Sequence, residues 1–260
     1  MTSSLLEVRD MTKYFGGIHA LKAIQFNINK GEIFSIIGPN GAGKSTVFNC
    51  INGIYRPDSG NIFFKGQDIT GWPPHKIAKS GISRTFQNLE LFKYMSTIDN
   101  LLLGRHLKMK SSILQLAGLN ILRSKAAKEE VSHRAKVEEI IDLLDLQAYR
   151  DYPVFALSYG KQKLIELGRA LAMEPSLLLL DEPAAGLNNE ERQDMIYWIN
   201  DIRDQLDISI IIIEHNMQMV KDISDRVMAL NFGKKIAEGK PDEVLKNQEV
   251  IMAYLGEEIT

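Results

Sequence analysis

An α/β fold is predicted for this 260-residue chain, with a parallel core sheet, an antiparallel β portion near the start and a helical insertion in the middle. Three features predict it. A short apolar run, Ile33 to Ile37, leads straight into the glycine-rich stretch Gly38-Pro39-Asn40-Gly41-Ala42-Gly43-Lys44-Ser45-Thr46. Two more apolar runs, Leu177 to Leu180 and Ile208 to Ile213, each end in acidic residues, and runs of this length read as strands buried on both faces. Between the phosphate loop and these runs, from Thr97 to Leu157, the pattern turns helical.

Composition sets the frame. The apolar share of 45% is enough for a sizeable core, and the length suits one large nucleotide domain with a subdomain. A net charge of -2 argues against a broad basic surface, so no nucleic-acid partner is expected. The single cysteine, Cys50, excludes an internal disulfide and a multi-thiolate zinc site, and reads as a buried thiol. Residues 1 to 10 carry Glu7, Arg9 and Asp10 where a signal peptide would be apolar. The longest apolar runs fall well short of the roughly 20 residues that span a bilayer, so any membrane role is expected to come through a partner.

In chain order, Leu6 and Val8, then Ile24, Phe26 and Ile28, alternate with polar residues and predict two antiparallel strands. Between them lies Tyr14-Phe15-Gly16-Gly17; Phe15 is either a core aromatic or a platform for an adenine ring. The stretch from Gly38 to Ser45 has the spacing of a phosphate loop, a glycine and four residues before Gly-Lys-Ser. Glycines at 38, 41 and 43 let the backbone curve around a polyphosphate with its N–H groups inward. Lys44 is placed to reach the outer phosphates and Ser45 to put a hydroxyl on Mg2+. The helix that starts near Lys44 aims its positive end at the anion.

Pro57 to Gly60 reads as a turn, Asn61 to Lys65 as a short strand and Ile82 to Phe86 as another, ending at Gln87. Gln87 is either an ordinary surface residue or a carbonyl donor to a metal or the attacking water. In the helical insertion, Val131, Ala135, Ile140, Ile141 and Leu144 are expected to face inward. The basic segment 105 to 128 reads as a solvated loop and helix edge.

Ser158-Tyr159-Gly160-Lys161-Gln162 opens the next helix, with Leu164, Leu167, Leu171 and Ala172 as its inward stripe. Ser158 there either caps the backbone or, with the helix dipole, binds a terminal phosphate. The strand that follows ends in Asp181-Glu182, of which Asp181 suits the second shell of a magnesium ion and Glu182 a base orienting water toward a γ-phosphate. Asn189 to Leu206 is a helix with Met195, Ile199, Ile202 and Leu206 inward. His215, after the next strand, is placed to hydrogen-bond the γ-phosphate. A hairpin around Phe232-Gly233 and short helices from Pro241 and Val250 complete the chain.

Taken together, these pieces resemble the nucleotide-binding subunit of ABC transporters over nearly the whole chain. The resemblance lies in the phosphate loop, Gln87, Ser158 to Gln162, Asp181-Glu182 and His215, in that order. It is closest to the ATPases of branched-chain and hydrophobic amino acid importers, through Ser83-Arg84-Thr85-Phe86-Gln87, Leu157-Ser158-Tyr159-Gly160, Pro183 to Asn188 and the closing Ala253 to Glu257. Three positions depart from the general pattern: Tyr159 replaces a glycine, Lys161 a glutamine and Asn188 an aspartate.

The resemblance implies a P-loop NTPase (RecA-like) core with an antiparallel β subdomain, residues 1–96 and 173–260, and an inserted α-helical subdomain, residues 97–172. It implies ATP and Mg2+ as ligands, with Ser45, Gln87 and Asp181 at the metal and Glu182, His215 and Gln87 at the chemistry. The partners it implies are two membrane permease subunits and a second ABC ATPase, a paralogue or a second copy, whose Ser158 to Gln162 closes the site. A periplasmic or extracellular solute-binding protein takes part indirectly, and the expected location is the cytoplasmic face of the membrane. Urea or amide import, lipopolysaccharide export, a non-transport ABC protein and a small-molecule kinase are the rival readings.

Overall fold

A computed structural model of the chain describes residues 4–85, 89–109 and 120–255. It divides into two compact units, Met1–Gln87 with Ser176–Thr260, and Asn88–Pro175. Among the described residues, no helix is long and apolar enough to cross a membrane.

The first unit is built on two sheets. β1 (Leu6–Phe15) and β2 (Ile18–Ile28) pair antiparallel, with Leu6 opposite Ile28 and Val8 opposite Phe26. β4 (Ser59–Phe64) adds to the other side of β1 and β5 (Gln67–Asp68) to β4. The alternation of Leu6, Val8, Phe26 and Ile28 puts one face of this sheet in the core, as period-two patterning requires.

The second sheet runs in the order β10-β9-β3-β8-β7-β6. Here β3 is Ile33–Ile37, β6 Ile82–Arg84, β7 Leu177–Asp181, β8 Ser209–Ile213, β9 Arg226–Asn231 and β10 Lys234–Gly239. β3 is parallel to β8 and β9, β7 is parallel to β6 and β8, and only β10 runs antiparallel, on the edge. Every residue of β3, β7 and β8 is buried, which is why these strands read as unbroken apolar runs. Helix α1 (Lys44–Ile51) fills the space over the parallel sheet with Val47, Phe48 and Ile51, and the rings of Phe26 and Phe34 stack 5.4 Å apart within the same core.

Cys50 lies on the buried face of α1, and desolvation pushes its thiol up to about 12. A thiolate is the reactive species, so native protein is expected to resist Ellman's reagent and to react stoichiometrically once unfolded in denaturant. Rapid labelling under native conditions would contradict this burial.

Several boundaries differ from expectation. β4 starts at Ser59 rather than Asn61, and β6 ends at Arg84. Helices α2 (Pro74–Ser80) and α7 (Met217–Ile223) have too few residues to show a periodic stripe and were not legible. On α6 (Asn189–Leu206), Met195, Ile199 and Ile202 are buried as expected but Leu206 is 45% exposed, because it ends the helix just before Asp207 turns left-handed. The two last helices, α8 (Pro241–Leu245) and α9 (Gln248–Leu255), follow the edge hairpin.

The second unit contains α3 (Thr97–Gly104), α4 (Asn120–Leu143) and α5 (Tyr159–Leu171). Its start precedes Thr97 because the loop before α3 is tied to that helix: Asn100 accepts from the Phe92 N–H and donates to the carbonyls of Phe92 and Ser96. On α4 the expected stripe is corrected at its first turns. Val131 is 68% exposed and Ala135 is exposed, whereas His133, Val137, Ile140, Ile141 and Leu144 are buried. The inward positions recur at i, i+4, i+7, i+8 and i+11, a helical stripe that a polar residue at its first position concealed.

His133 is accommodated by Arg105, whose Nε donates to the imidazole Nδ1 at 3.1 Å while a second guanidinium nitrogen donates to the Ala172 carbonyl at 2.8 Å. Arg105, expected on a solvated edge, is therefore buried. Residues 110–119 of that basic segment lie outside those described.

Candidate active site

Parallel strands place the loops that follow them on one edge of a sheet. β3, β8 and β7 are neighbours in register, Ile36 facing Ile213 and Ile213 facing Asp181. The loop from Gly38 therefore emerges beside Glu182, which follows β7, and beside His215, which follows β8.

The phosphate-loop backbone takes its shape from its glycines. At Gly38, φ is +148° and a Cβ would lie 2.2 Å from the Leu230 carbonyl; at Gly43, φ is +107° and a Cβ would lie 2.7 Å from the Ala20 carbonyl. Any larger residue would push the loop off β9 or β2. Gly43 is also the N-cap of α1 and has no side chain to accept from the first turn, so the helix presents its N–H groups and its positive end to the loop. The Lys44 ammonium is buried and donates to the carbonyls of Gly38 at 2.6 Å and Pro39 at 2.8 Å, which folds the loop back over it.

A cleft of about 470 Å³ lies over this loop. Asn40, Gly41, Ala42, Gly43, Lys44, Ser45 and Thr46 form one wall, and Glu182 and His215 another. The Glu182 carboxylate meets the His215 Nε2 at 3.0 Å. Glu182 has φ +50°, a left-handed turn immediately after the last core residue of β7. Thus three separately predicted stretches converge: the loop with its Lys44, Glu182 and His215.

Asp181 is not among the residues that line the cleft. It is buried, and Arg84 of β6 donates to its Oδ2 at 2.7 Å while also donating to Asn49 of α1 at 2.6 Å. Removing either charge would leave the other buried alone at a cost of about 3–5 kcal/mol. Glu214, also buried, accepts from the backbone N–H groups of Ala184, His215 and Asn216, and so fixes the loop that carries His215. The sequence signal for Glu214 was its place directly after a core strand; Arg84 gave none, because its partner is 97 positions away.

Phe15 does not line this cleft. Its ring meets Tyr55 edge to face at 5.0 Å and lines a separate hollow with Lys13 and Arg56. The cleft's remaining wall comes from Ile18, His19, Ala20 and Lys22 at the start of β2, and from Phe232. Sequence reasoning missed these five, since nothing in their local pattern distinguishes them from strand and turn residues. Gln87 lies outside the described residues.

In the second unit, Ser158 is the N-cap of α5 and accepts from the Lys161 N–H at 3.4 Å. Gln162 donates from its side chain to the Leu157 carbonyl at 2.9 Å, Gly160 is buried, and the Lys161 ammonium lies over the Tyr149 ring. Tyr159 and Ser158 are exposed. Asn188, where an aspartate was the family expectation, caps α6 in a reciprocal box with Glu191.

A family model described as ABC transporter matches residues 21–185. The chain belongs to the ABC transporter family. A second model, described as a branched-chain amino acid ATP-binding cassette transporter, matches residues 234–260 of this cassette. The high-affinity branched-chain amino acid transport ATP-binding protein BraF of Pseudomonas aeruginosa is 38% identical over 257 residues, covering 99% of this chain and all of that protein. LivG of Escherichia coli K12, of the same description, is 39% identical over 259 residues with the same coverage. A solved nucleotide-free cassette from an ABC transporter superposes with a TM-score of 0.84 at 32% identity, covering 97% of this chain and 99% of its own. A cassette solved in its ADP conformation gives 0.84 at 30% identity, covering 98% of this chain and 100% of its own.

The cassette is thus an ATP-binding ATPase, and the cleft suits that substrate. The uncapped start of α1, the Lys44 ammonium and the hydroxyls of Ser45 and Thr46 are donors or cations, matched to a polyphosphate. No side chain extends from Gly41, and a Cβ there would meet nothing within 4 Å, so the loop leaves room for the anion. Among the described residues, no group of three or more histidine, cysteine, aspartate or glutamate side chains could hold a metal by itself.

Proposed function

We propose that this cassette powers import of branched-chain or other hydrophobic amino acids, by closing on ATP against a second cassette and opening after hydrolysis. The observation that carries the catalytic part is the meeting of the phosphate loop, Glu182 and His215 in one cleft. The solute assignment is supported by the BraF and LivG relatives and by the match at residues 234–260.

In this reading Gly38 to Thr46 wrap the β- and γ-phosphates and Lys44 neutralises them. Ser45, with Gln87 and Asp181, would hold Mg2+, which would supply charge neutralisation at those phosphates. Asp181 acts from a buried pair with Arg84, which holds its carboxylate in place. Glu182 accepts a proton from the attacking water, and His215, hydrogen-bonded to Glu182, orients that carboxylate and contacts the γ-phosphate.

The exposed, serine-capped N-terminus of α5, with Tyr159, Gly160, Lys161 and Gln162, binds the terminal phosphate of ATP held by the partner cassette. Only a triphosphate joins both halves, so loss of the γ-phosphate releases closure. Two membrane permease subunits take up this motion on the cytoplasmic face, and an external solute-binding protein delivers the amino acid.

Reconstitution with its permease subunits and partner cassette in liposomes is the test. ATP-dependent uptake of labelled leucine or isoleucine, absent with labelled urea or acetamide, is the expected result. Uptake of urea or amide alone would overturn the solute assignment while leaving the ATPase intact.

A further inference from the structure

The nucleotide cleft carries two exposed apolar side chains at its rim that phosphate chemistry does not explain. Ile18, 72% exposed, opens β2, and Phe232, 76% exposed, begins the two-residue turn between β9 and β10. Both line the same cleft as the phosphate loop.

Phe232 sits in a conformation that disfavours it. Its φ is +45° and that of Gly233 is +74°, both left-handed. Two-residue hairpin turns with two left-handed residues favour Asn-Gly, and a bulky aromatic at positive φ is an outlier. Residues held this way persist where surrounding structure over-determines them, and they cluster at active sites and ligand clamps.

The turn is also held in place. The Gly233 N–H donates to the Ala42 carbonyl at 2.9 Å, and the Lys22 N–H donates to the Gly233 carbonyl at 2.8 Å. These bonds tie the turn to the phosphate loop on one side and to β2 on the other, so the Phe232 ring is presented at the cleft mouth beside Ile18.

We propose that Ile18 and Phe232 contact the nucleobase of the bound nucleotide and position it, with Phe232 as the larger contributor. The proposal rests on the cleft being the ATP site. Its floor, with Lys44, Ser45 and Thr46, suits the phosphates, and its apolar rim suits the flat, apolar part of the same ligand.

The test is calorimetric titration of the full chain and of Phe232→Asn and Ile18→Ala with ATP, ADP and inorganic tripolyphosphate, beside thermal melts. Phe232→Asn is expected to bind ATP and ADP roughly 5- to 150-fold more weakly, the range of a lost aromatic–base contact. Tripolyphosphate affinity should stay within about twofold, and the melting temperature should rise because asparagine suits the turn. Ile18→Ala should weaken ATP and ADP by a smaller factor.

ATP affinity within about twofold of wild type in Phe232→Asn would overturn the proposal, as would a parallel loss of tripolyphosphate. An effect confined to ATP-driven self-association, with nucleotide affinity intact, would overturn it in favour of contact with a second cassette. Failure of the unaltered chain to bind either ATP or tripolyphosphate would instead remove the nucleotide-site reading, and this inference with it.

Discussion

Glu182→Gln is expected to bind ATP as tightly as the unaltered cassette while losing about 10² to 10⁴ in turnover, the share that general-base catalysis commonly supplies. That loss corresponds to about 3–5 kcal/mol of transition-state stabilisation at 1.36 kcal/mol per decade. The argument is one of geometry followed by basicity. Glutamine has the same length and can keep a hydrogen bond to the His215 Nε2, 3.0 Å away in this structure, so the loop and the imidazole should stay in place. What it lacks is a lone pair basic enough to take a proton from water. A variant that cannot hydrolyse should also hold ATP-driven closure, so steady-state phosphate release and the oligomeric state with ATP are measured together. Full phosphate release in Glu182→Gln would take the base role away from this residue.

Lys44→Ala is expected to weaken ATP binding roughly 10- to 100-fold, the scale of a lost charge-assisted hydrogen bond. Two effects combine in that figure. The ammonium meets the phosphates directly, and it also braces the loop through the carbonyls of Gly38 and Pro39. An equilibrium titration with ATP, with a thermal melt beside it, measures the loss and reports whether the fold survives. Since Lys44 is buried, some loss of melting temperature is expected as well. Unchanged ATP affinity would remove the phosphate-loop assignment.

The contrast between α5 and α4 explains how much of the fold was legible. Leu164, Leu167 and Leu171 form a stripe of like residues, so both the helix and its buried face could be read in advance. On α4 the buried face begins with His133, and Val131 points to solvent. A histidine becomes a core residue only when something distant, here Arg105, satisfies it. The site divides the same way. Gly38 to Thr46, Glu182 and His215 each announce themselves locally, by spacing or by a charged residue after a core strand. Arg84 behind Asp181, and Ile18 and Phe232 at the rim, carry no local mark.

By itself, the sequence determined the phosphate loop and singled out Glu182 and His215, which line the same cleft, because each is marked by neighbours within a few positions. Only the tertiary structure decided which strands lie side by side, which charge neutralises Asp181 and which apolar side chains share a cleft with Lys44. Those depend on pairings between β3, β7, β8 and the two hairpins, residues far apart in the chain that only packing brings within ångströms of each other.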